Sequence, residues 1–257
     1  MSVPGDGQVR ITGLEKTFWD RGRGEIRAVA GIDFTCSPGE VFGLLGANGA
    51  GKTTTLRVLA TVLEPTSGSA IVNGHDVRQA PEDVRRSLGF HSASTALYPR
   101  LTVRETLDFF ARVNRYPADA VHARVEALLD RFALRSYADA RVDALSSGMK
   151  QKVSIARTVA HDPPVLIFDE PSVGLDVVNA LELRRIVREL RDQGKTIIFS
   201  THVMPEAERV CDRIAIMHRG RLLAVDTLDE HRERTGLHYL EDIFVAELER
   251  AGYDGSA

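Results

Sequence analysis

The chain has 257 residues, with 33 basic and 36 acidic side chains and a formal net charge of −3. Hydrophobic residues make up 43% and charged residues 27%, a balance typical of globular proteins that excludes an intrinsically disordered chain. The slight acidity argues against a dedicated nucleic-acid binder, so we expect no nucleic-acid partner. Only two cysteines occur, Cys36 and Cys211, which argues against a secreted disulfide scaffold and favours a reducing compartment.

Apolar segments in the sequence are short. The longest, around Val41–Ala47 and Val165–Phe168, fall far below the ~20 residues that span a bilayer. The first residues also lack the charged and apolar regions of a signal peptide. We therefore expect that the chain does not cross a membrane by itself.

Short β-branched runs alternate with longer helical patterns, which predicts a mostly parallel sheet covered by helices. The first two predicted strands are expected to be antiparallel and to lie at an edge, because no helix-length segment separates them from each other or from the third. In chain order, the predicted strands are Val9–Leu14, Ile32–Cys36, Val41–Leu45, Ala70–Val72, Val165–Phe168, Thr196–Ser200, Arg213–Met217 and Leu222–Val225.

Helical periodicity predicts seven helices. Between Leu88 and Leu145 the strand signal fades, which predicts a helical subdomain inserted at about residues 93–145 of a single domain spanning 1–257. The last helix carries four apolar residues on one face and is expected to dock on the core. The predicted helices are Lys52–Val62, Val103–Val113, Ala118–Phe132, Gly148–Ala160, Val178–Gln193, Pro205–Val210 and Leu240–Arg250.

A glycine-rich segment, the phosphate loop (Gly46–Thr53), follows an apolar strand and precedes a predicted helix. It has the G-x-x-x-x-G-K-[ST] pattern, in which backbone N–H groups and the helix N-terminus surround a phosphate. Lys52 would reach the β- and γ-phosphates and Thr53 would coordinate Mg²⁺. The predicted fold class is α/β, a P-loop nucleotide-triphosphatase core with a mostly parallel sheet, an antiparallel β edge subdomain and an inserted helical subdomain. The predicted nucleotide-binding residues here are Gly46, Asn48, Gly49, Gly51, Lys52, Thr53 and Thr54.

Two carboxylates end the apolar strand Val165–Phe168. The first, Asp169, would lie at the carboxyl end of the sheet and hold Mg²⁺ directly or through water. The second, Glu170, would orient or deprotonate the water that attacks the phosphate. An acidic pair after a strand also caps helices, so this interpretation depends on its pairing with the phosphate loop.

Four further segments complete a recognisable pattern: Phe18, the signature segment (Leu145–Lys152), Pro171–Asp176 and Ser200–His202. With the phosphate loop and the acidic strand, they resemble the ATP-binding cassette of ABC transporters. The resemblance covers nearly the whole chain. It implies an ATPase with ATP and Mg²⁺ as substrate and cofactor.

The resemblance also implies residue roles. Phe18 would stack on adenine, although an aromatic in a polar turn can also be a core residue. Ser146 and Gly148 would contact the γ-phosphate of ATP held by the opposite subunit, although Ser is also an ordinary helix cap. Asp176 would line the dimer interface, and His202 would contact the γ-phosphate. Lys52, Glu170 and His202 are thus the predicted catalytic residues, and Thr53 and Asp169 the metal ligands.

The resemblance implies an assembly as well: two ATPase chains around two ATP molecules, driving a separate integral-membrane permease. Such a subunit would lie at the cytoplasmic face of the membrane. A homodimer is the simplest form, and pairing with a different ATPase chain stays open. The amino-acid sequences of the signature segment, of His161–Phe168 and of Leu240–Phe244 are most similar to those of bacterial exporters of the sodium-extrusion type. Drug or antibiotic export, import, and a non-transport ATPase acting on ribosomes or DNA are the alternatives.

Three positions depart from the usual pattern of this family. Ser147 stands where the commoner signature has Gly, and Met149 stands where it has Gln. Ala93 stands where the family usually has a glutamine that completes the Mg²⁺ and water shell, and a methyl group cannot ligate a metal. The nearby segment Tyr98–Leu101 is a candidate contact with the permease, since it combines an aromatic, an arginine and an aliphatic side chain; a solvated loop is the alternative.

Overall fold

The computed structural model describes residues 7–22, 24–92 and 97–252. Within these ranges the strands are β1 (Val9–Asp20), β2 (Gly24–Cys36), β3 (Val41–Leu45), β4 (Ser67–Val72), β5 (His75–Asp76), β6 (Leu88–Ser92), β7 (Val165–Asp169), β8 (Thr196–Thr201), β9 (Arg213–His218) and β10 (Arg221–Thr227). The helices are α1 (Lys52–Leu59), α2 (Pro81–Ser87), α3 (Val103–Val113), α4 (Val121–Arg131), α5 (Ser147–Thr158), α6 (Val177–Asp192), α7 (Met204–Val210), α8 (Leu228–Thr235) and α9 (Leu240–Arg250).

The larger sheet has six strands in the order β10-β9-β3-β8-β7-β6. All neighbours pair in parallel except β9 and β10, which form an antiparallel edge. Its central strands are apolar throughout, because both faces of a parallel sheet are covered. Along β7, Leu166 and Phe168 face the helices of one layer while Val165 and Ile167 face the other, as the two-residue period of a strand requires.

A second sheet has four antiparallel strands in the order β2-β1-β4-β5. Its apolar face packs against the larger sheet and α1, in a core that includes Ile11, Leu14 and Phe42. The predicted α/β class, with a mostly parallel sheet and a separate antiparallel sheet, is confirmed. The antiparallel strands are longer than predicted, since their charged outer ends conceal the alternation of apolar residues.

Residues 97–145 contain α3, α4 and two short 3₁₀ turns. A capping box fixes the start of α3: the Glu105 N–H donates to the Thr102 hydroxyl, and the Thr102 N–H donates to the Glu105 carboxylate. This region packs on the core through buried side chains of α3, α4 and α5, Leu107, Leu128 and Val153 among them. No helix in residues 7–22, 24–92 and 97–252 combines the length and hydropathy of a membrane span.

The structure adds four elements that were not predicted, β5, β6, α2 and α8, and places Phe18 differently. β6 lies in the region where the strand signal fades, yet it pairs in parallel with β7. The short helices α2 and α8 were also not predicted, because their charged sequences have weak apolar periodicity. Phe18 was predicted to lie in a polar turn, but it lies within β1, opposite Ile26 of β2.

Candidate nucleotide site

The phosphate loop connects β3 to α1 at the carboxyl edge of the larger sheet. A side chain at Gly46 would collide with the Met217 carbonyl, and one at Gly51 would collide with the Ala28 carbonyl, so these positions require glycine. Gly51 also has a φ of 109°. No side chain within the described ranges caps the N-terminus of α1. Its first N–H groups are therefore available to an anion, as in other phosphate-binding helix termini.

Lys52 is buried at the start of α1. Its ammonium donates to the Gly46 carbonyl oxygen at 2.6 Å and lies 3.1 Å from a Glu170 carboxylate oxygen. The positive charge is therefore held at the mouth of the phosphate loop. An incoming phosphate would compete with Glu170 for this charge.

The predicted metal ligands lie next to each other. The Thr53 hydroxyl donates to Asp169 Oδ1 at 3.1 Å, and the Ser200 hydroxyl donates to the same oxygen at 2.7 Å. Among the described residues no group of three or more His, Cys, Asp or Glu side chains is placed to bind a metal. One carboxylate and one hydroxyl fit Mg²⁺, which usually takes one or two protein oxygens and completes its shell with phosphate and water.

Glu170 occupies a backbone conformation that is rare for a residue with a side chain, with a φ of 51°. Its N–H donates to the Ser200 carbonyl at 3.2 Å and lies 3.1 Å from the Ser200 hydroxyl, which fixes the turn after β7. The carboxylate lies between two groups: Lys52 on one oxygen and His202 Nδ1, which donates at 2.8 Å, on the other. The structure thus brings the three predicted catalytic residues into one chain of contacts.

Two residues of this site were not predicted from the sequence. Ser200 contacts both Asp169 and Glu170, as described above. Glu206, a buried carboxylate at the start of α7, accepts hydrogen bonds from the Ser172 hydroxyl at 2.8 Å and the Thr201 hydroxyl at 2.7 Å. It joins the segment after Glu170 to the segment before His202. The run Ser200-Thr201-His202 was a signal for Ser200, whereas the role of Glu206 depends on tertiary contacts alone.

The signature segment leads into α5. Ser146 is the N-cap of this helix, and its hydroxyl accepts the Met149 N–H at 3.3 Å. A side chain at Gly148 would approach the Asn179 amide to 3.1 Å. Asp176 caps α6 in the same manner, accepting the Asn179 N–H at 2.9 Å. Hydrogen bonds from the backbone and the side chain of Asn179 lower the pKa of the Asp176 carboxyl. Ser146 and Asp176 are exposed, so both are available to another molecule.

Phe18 is separate from the catalytic contacts. Its ring is 38% exposed, and the Lys16 ammonium lies 5.0 Å from the ring centroid. An exposed ring beside a cation leaves an open face for stacking. Ala93 lies outside the described residues.

Comparison with known proteins identifies the family. A family model described as "ABC transporter" matches residues 29–173. The chain is 38% identical to the ABC transporter ATP-binding protein NatA of Bacillus subtilis (strain 168), over 94% of this chain and 98% of that protein. It is 35% identical to the daunorubicin resistance ATP-binding protein DrrA3 of Streptomyces coeruleorubidus, over 98% of this chain and 77% of that protein.

A solved structure described as the ATP binding subunit of an ABC transporter is similar as well. It has a TM-score of 0.85 and 32% identity, and the match covers 93% of this chain and 98% of the other. The resemblance inferred from the sequence is confirmed. The chain therefore belongs to the ABC transporter family, and it is an ATPase subunit of that family.

Proposed function

We propose that this chain is the ATP-hydrolysing subunit of a bacterial ABC exporter that dimerises around ATP and drives sodium efflux through a separate permease. The observation that carries the hydrolytic part is the Glu170 carboxylate, which lies 3.1 Å from Lys52 and 2.8 Å from His202. A carboxylate held in this position can accept a hydrogen bond from a water molecule beside a bound phosphate.

The catalytic residues divide the work. The backbone N–H groups of the phosphate loop and Lys52 bind the β- and γ-phosphates, which releases Glu170 from its ion pair. Thr53 and Asp169 hold Mg²⁺, which neutralises charge on the phosphates when it is bound. Glu170 then accepts a hydrogen bond from the attacking water and orients it. His202 stays in contact with Glu170 through Nδ1 and would also contact the γ-phosphate.

The second half of each site comes from a second copy of the chain. Ser146 begins α5 and Asp176 begins α6, and both are exposed. The N-terminus of α5 carries partial positive charge, which favours a phosphate. Two copies that each present a phosphate loop and a signature segment can complete two sites by twofold symmetry. Hydrolysis would remove the γ-phosphate between them and release the dimer.

The permease would contact the region of Tyr98–Leu101. This segment lines a cavity of about 590 Å³ together with Phe109. The Tyr98 ring is 52% exposed and packs edge-on against Phe109, with their centroids 5.6 Å apart. An exposed aromatic pair beside an open cavity is typical of a protein interaction site. Through this contact the chain would be held at the cytoplasmic face of the membrane.

Sodium is proposed as the transported ion because the signature segment and the runs His161–Phe168 and Leu240–Phe244 resemble those of bacterial exporters of the sodium-extrusion type. Drug export is the second candidate, and the specific observation in its favour is the daunorubicin resistance relative, which is similar over 98% of this chain. The transported species is not recognised by the ATPase site, so no residue of that site separates the two candidates.

The test is sodium clearance from cells of the host after a sodium load. We compare the intact gene with a Lys52→Ala variant, and use Lys195→Ala as a matched control far from the phosphate loop. Sodium clearance that is fast with the intact gene and the control, and slow with Lys52→Ala, supports sodium export. Equal clearance in all three, with daunorubicin accumulation raised only in Lys52→Ala cells, contradicts it and supports drug export.

A further inference from the structure

Arg157, on the last turn of α5, has no function in the nucleotide site. It lines a cavity of about 200 Å³ between the core and the helical region, here called the Arg157 cavity. Only 6% of the residue is exposed to solvent. The lining residues are Ala60, Arg85, Leu88, Gly89, Phe90, Phe110, Asn114, Arg157, Thr158 and His161.

The Arg157 guanidinium has no anion beside it in the part of the chain that the structure describes. Its Nε and Nη2 atoms are buried and make no hydrogen bond. The Phe110 ring packs against it, with the ring centroid 5.0 Å from Arg157 Cζ. Burial lowers the pKa of this guanidinium, because the charged form loses its hydration. A buried charge without a counter-charge destabilises a protein, so its retention requires an explanation.

The rest of the cavity wall is also basic or neutral. Arg85 supplies a second guanidinium, held by a 3.0 Å hydrogen bond to the Thr61 hydroxyl, and no carboxylate is among the lining residues. The Asn114 amide donates to the Phe110 carbonyl at 2.8 Å and so fixes the α3 wall. The charge of the cavity is therefore complementary to an anion.

An aromatic surface continues from this cavity. Phe110, which packs against Arg157, stacks on Tyr98 with centroids 6.3 Å apart and packs edge-on against Phe109 at 5.3 Å. Tyr98 and Phe109 are both substantially exposed. A ligand that fits both the Arg157 cavity and the neighbouring aromatic rings must therefore carry a negative charge and an apolar surface.

We propose that Arg157 is the receptor for one Asp or Glu side chain on an apolar cytoplasmic segment of the permease. This inference rests on the proposed function, since it specifies the partner of the ATPase subunit. The carboxylate would accept from Nε and Nη2 together, the bidentate pairing for which the guanidinium is suited. A free phosphate would leave Tyr98 and Phe109 uncovered, whereas an apolar segment covers them.

The first step of the test identifies the segment. A photo-reactive phenylalanine analogue at position 109 is expressed in the host, membranes are irradiated, and the cross-linked peptide is sequenced by mass spectrometry. The expected result is a cytoplasmic segment of an integral membrane protein that contains an Asp or Glu. No cross-link to any membrane protein would overturn the proposed function and this inference together. A cross-linked segment without an acidic residue would overturn this inference alone.

The second step is a double-mutant cycle between that acid and Arg157. Replacing the acid by its amide should weaken association with the intact ATPase by about 30-fold or more, because it leaves a buried charge unpaired. The same change should have little effect when the ATPase carries Arg157→Gln. Arg100→Gln, an exposed arginine beside Tyr98, is the matched control and should leave the full effect in place. Equal effects in the intact and Arg157→Gln backgrounds would overturn the inference.

Two further measurements separate this role from a structural one. Arg157→Met should fold, keep its basal ATPase activity and have a Tm equal to or about 2–4 °C above that of the parent, since it removes an unpaired buried charge. A Tm well below that of the parent would assign Arg157 a structural role and overturn the inference. Inorganic phosphate added before irradiation should not reduce the yield of the cross-link; a reduction that depends on Arg157 would assign the cavity to a free anion instead.

Discussion

Two regions of this molecule treat charge in opposite ways. At the carboxyl edge of the larger sheet, Glu170 is paired with Lys52 and His202, and Asp169 accepts hydrogen bonds from neighbouring hydroxyls. In the Arg157 cavity, the guanidinium Nε and Nη2 have no hydrogen-bond partner among the described residues. The charge of Glu170 is therefore opposed by Lys52 within the chain, whereas the described residues place no opposite charge beside the Arg157 guanidinium.

The difference indicates what each region is built for. Groups that must keep their geometry while a substrate enters and leaves are held by partners within the chain. A buried charge without such a partner lowers the free energy of unfolding, and pairing with a group from another molecule can offset this destabilisation. Contacts within the chain thus account for the positions of Lys52, Asp169 and Glu170. They do not account for the burial of Arg157 among neutral and basic residues.

The largest expected effect comes from Glu170→Gln, which keeps the shape of the side chain and removes its charge. The kcat for ATP hydrolysis should fall by roughly 10²- to 10⁴-fold, because an amide cannot act as general base. ATP binding should persist, since Lys52 is released rather than lost. Steady-state ATPase assays and calorimetry measure the two quantities. Glu249→Gln, an exposed carboxylate of α9, is the control; equal kcat values for both variants would refute the assignment of Glu170.

Lys52→Ala tests the other half of the ion pair. Its ATP affinity should fall by about 10²- to 10³-fold, because the charge-assisted contacts to the phosphates are lost. Isothermal titration of ATP measures the affinity, with Lys195→Ala as the control. An ATP affinity equal to that of the parent would refute the phosphate-loop interpretation. A lower affinity in a variant that still folds would support it.

His91, a buried residue of β6, interacts electrostatically with Arg157. Burial, with a further contribution from the charge of Arg157, lowers the pKa of His91 to about 4. Between pH 6.5 and 4 the unfolded chain binds a proton that the folded chain does not, so the free energy of unfolding should decrease as the pH falls through this range. The decrease amounts to about 3 kcal/mol for this residue.

Urea unfolding at pH 7 and pH 4 measures that decrease. His91→Phe should reduce the difference between the two pH values by about 3 kcal/mol, whereas the exposed His122→Gln should leave it nearly unchanged. An identical pH dependence in the parent and in His91→Phe would contradict the predicted pKa. In Arg157→Met the pKa of His91 should rise, because one of its two main causes is removed.

The smallest expected effect concerns Phe18, which lies outside the catalytic contacts. If its ring stacks on adenine, Phe18→Ala should weaken ATP binding by roughly 10-fold, since stacking on a base contributes about 1–3 kcal/mol. Ile26 faces Phe18 across the hairpin and is exposed to the same extent, 38%. Ile26→Ala is therefore a matched control. Equal losses of affinity would show that Phe18 only packs in the hairpin.

The residues that a local motif carries could be predicted from the sequence. In the phosphate loop and at the end of the acidic strand, the functional residues are adjacent in the sequence. The structure brings Lys52 and Thr53 together with Asp169 and Glu170. Ser200 and Glu206 were not predicted because their importance arises from contacts between separate strands and helices. The run Ser200-Thr201-His202 marked the position of Ser200, but nothing in the sequence marked Glu206.

Strand β6 was also missed because its formation depends on contacts between separate elements. β6 contains Gly89, and glycine weakens a strand signal. In the fold a side chain at Gly89 would collide with the Thr158 carbonyl, so glycine is what allows α5 to pack against this strand. The helix α8 is different: it was not predicted, although the capping-box residues Thr227 and Glu230 were present in the sequence.

The most direct test of the account is complementation between two inactive chains. Lys52→Ala damages the phosphate loop, and Gly148→Asp places a negative charge in the signature segment, so each variant alone should hydrolyse almost no ATP. If every site joins the phosphate loop of one copy to the signature segment of another, an equal mixture contains heterodimers with one intact site. Random pairing and independent sites predict about a quarter of the parent ATPase activity in that mixture. A mixture as inactive as its components would contradict the shared site.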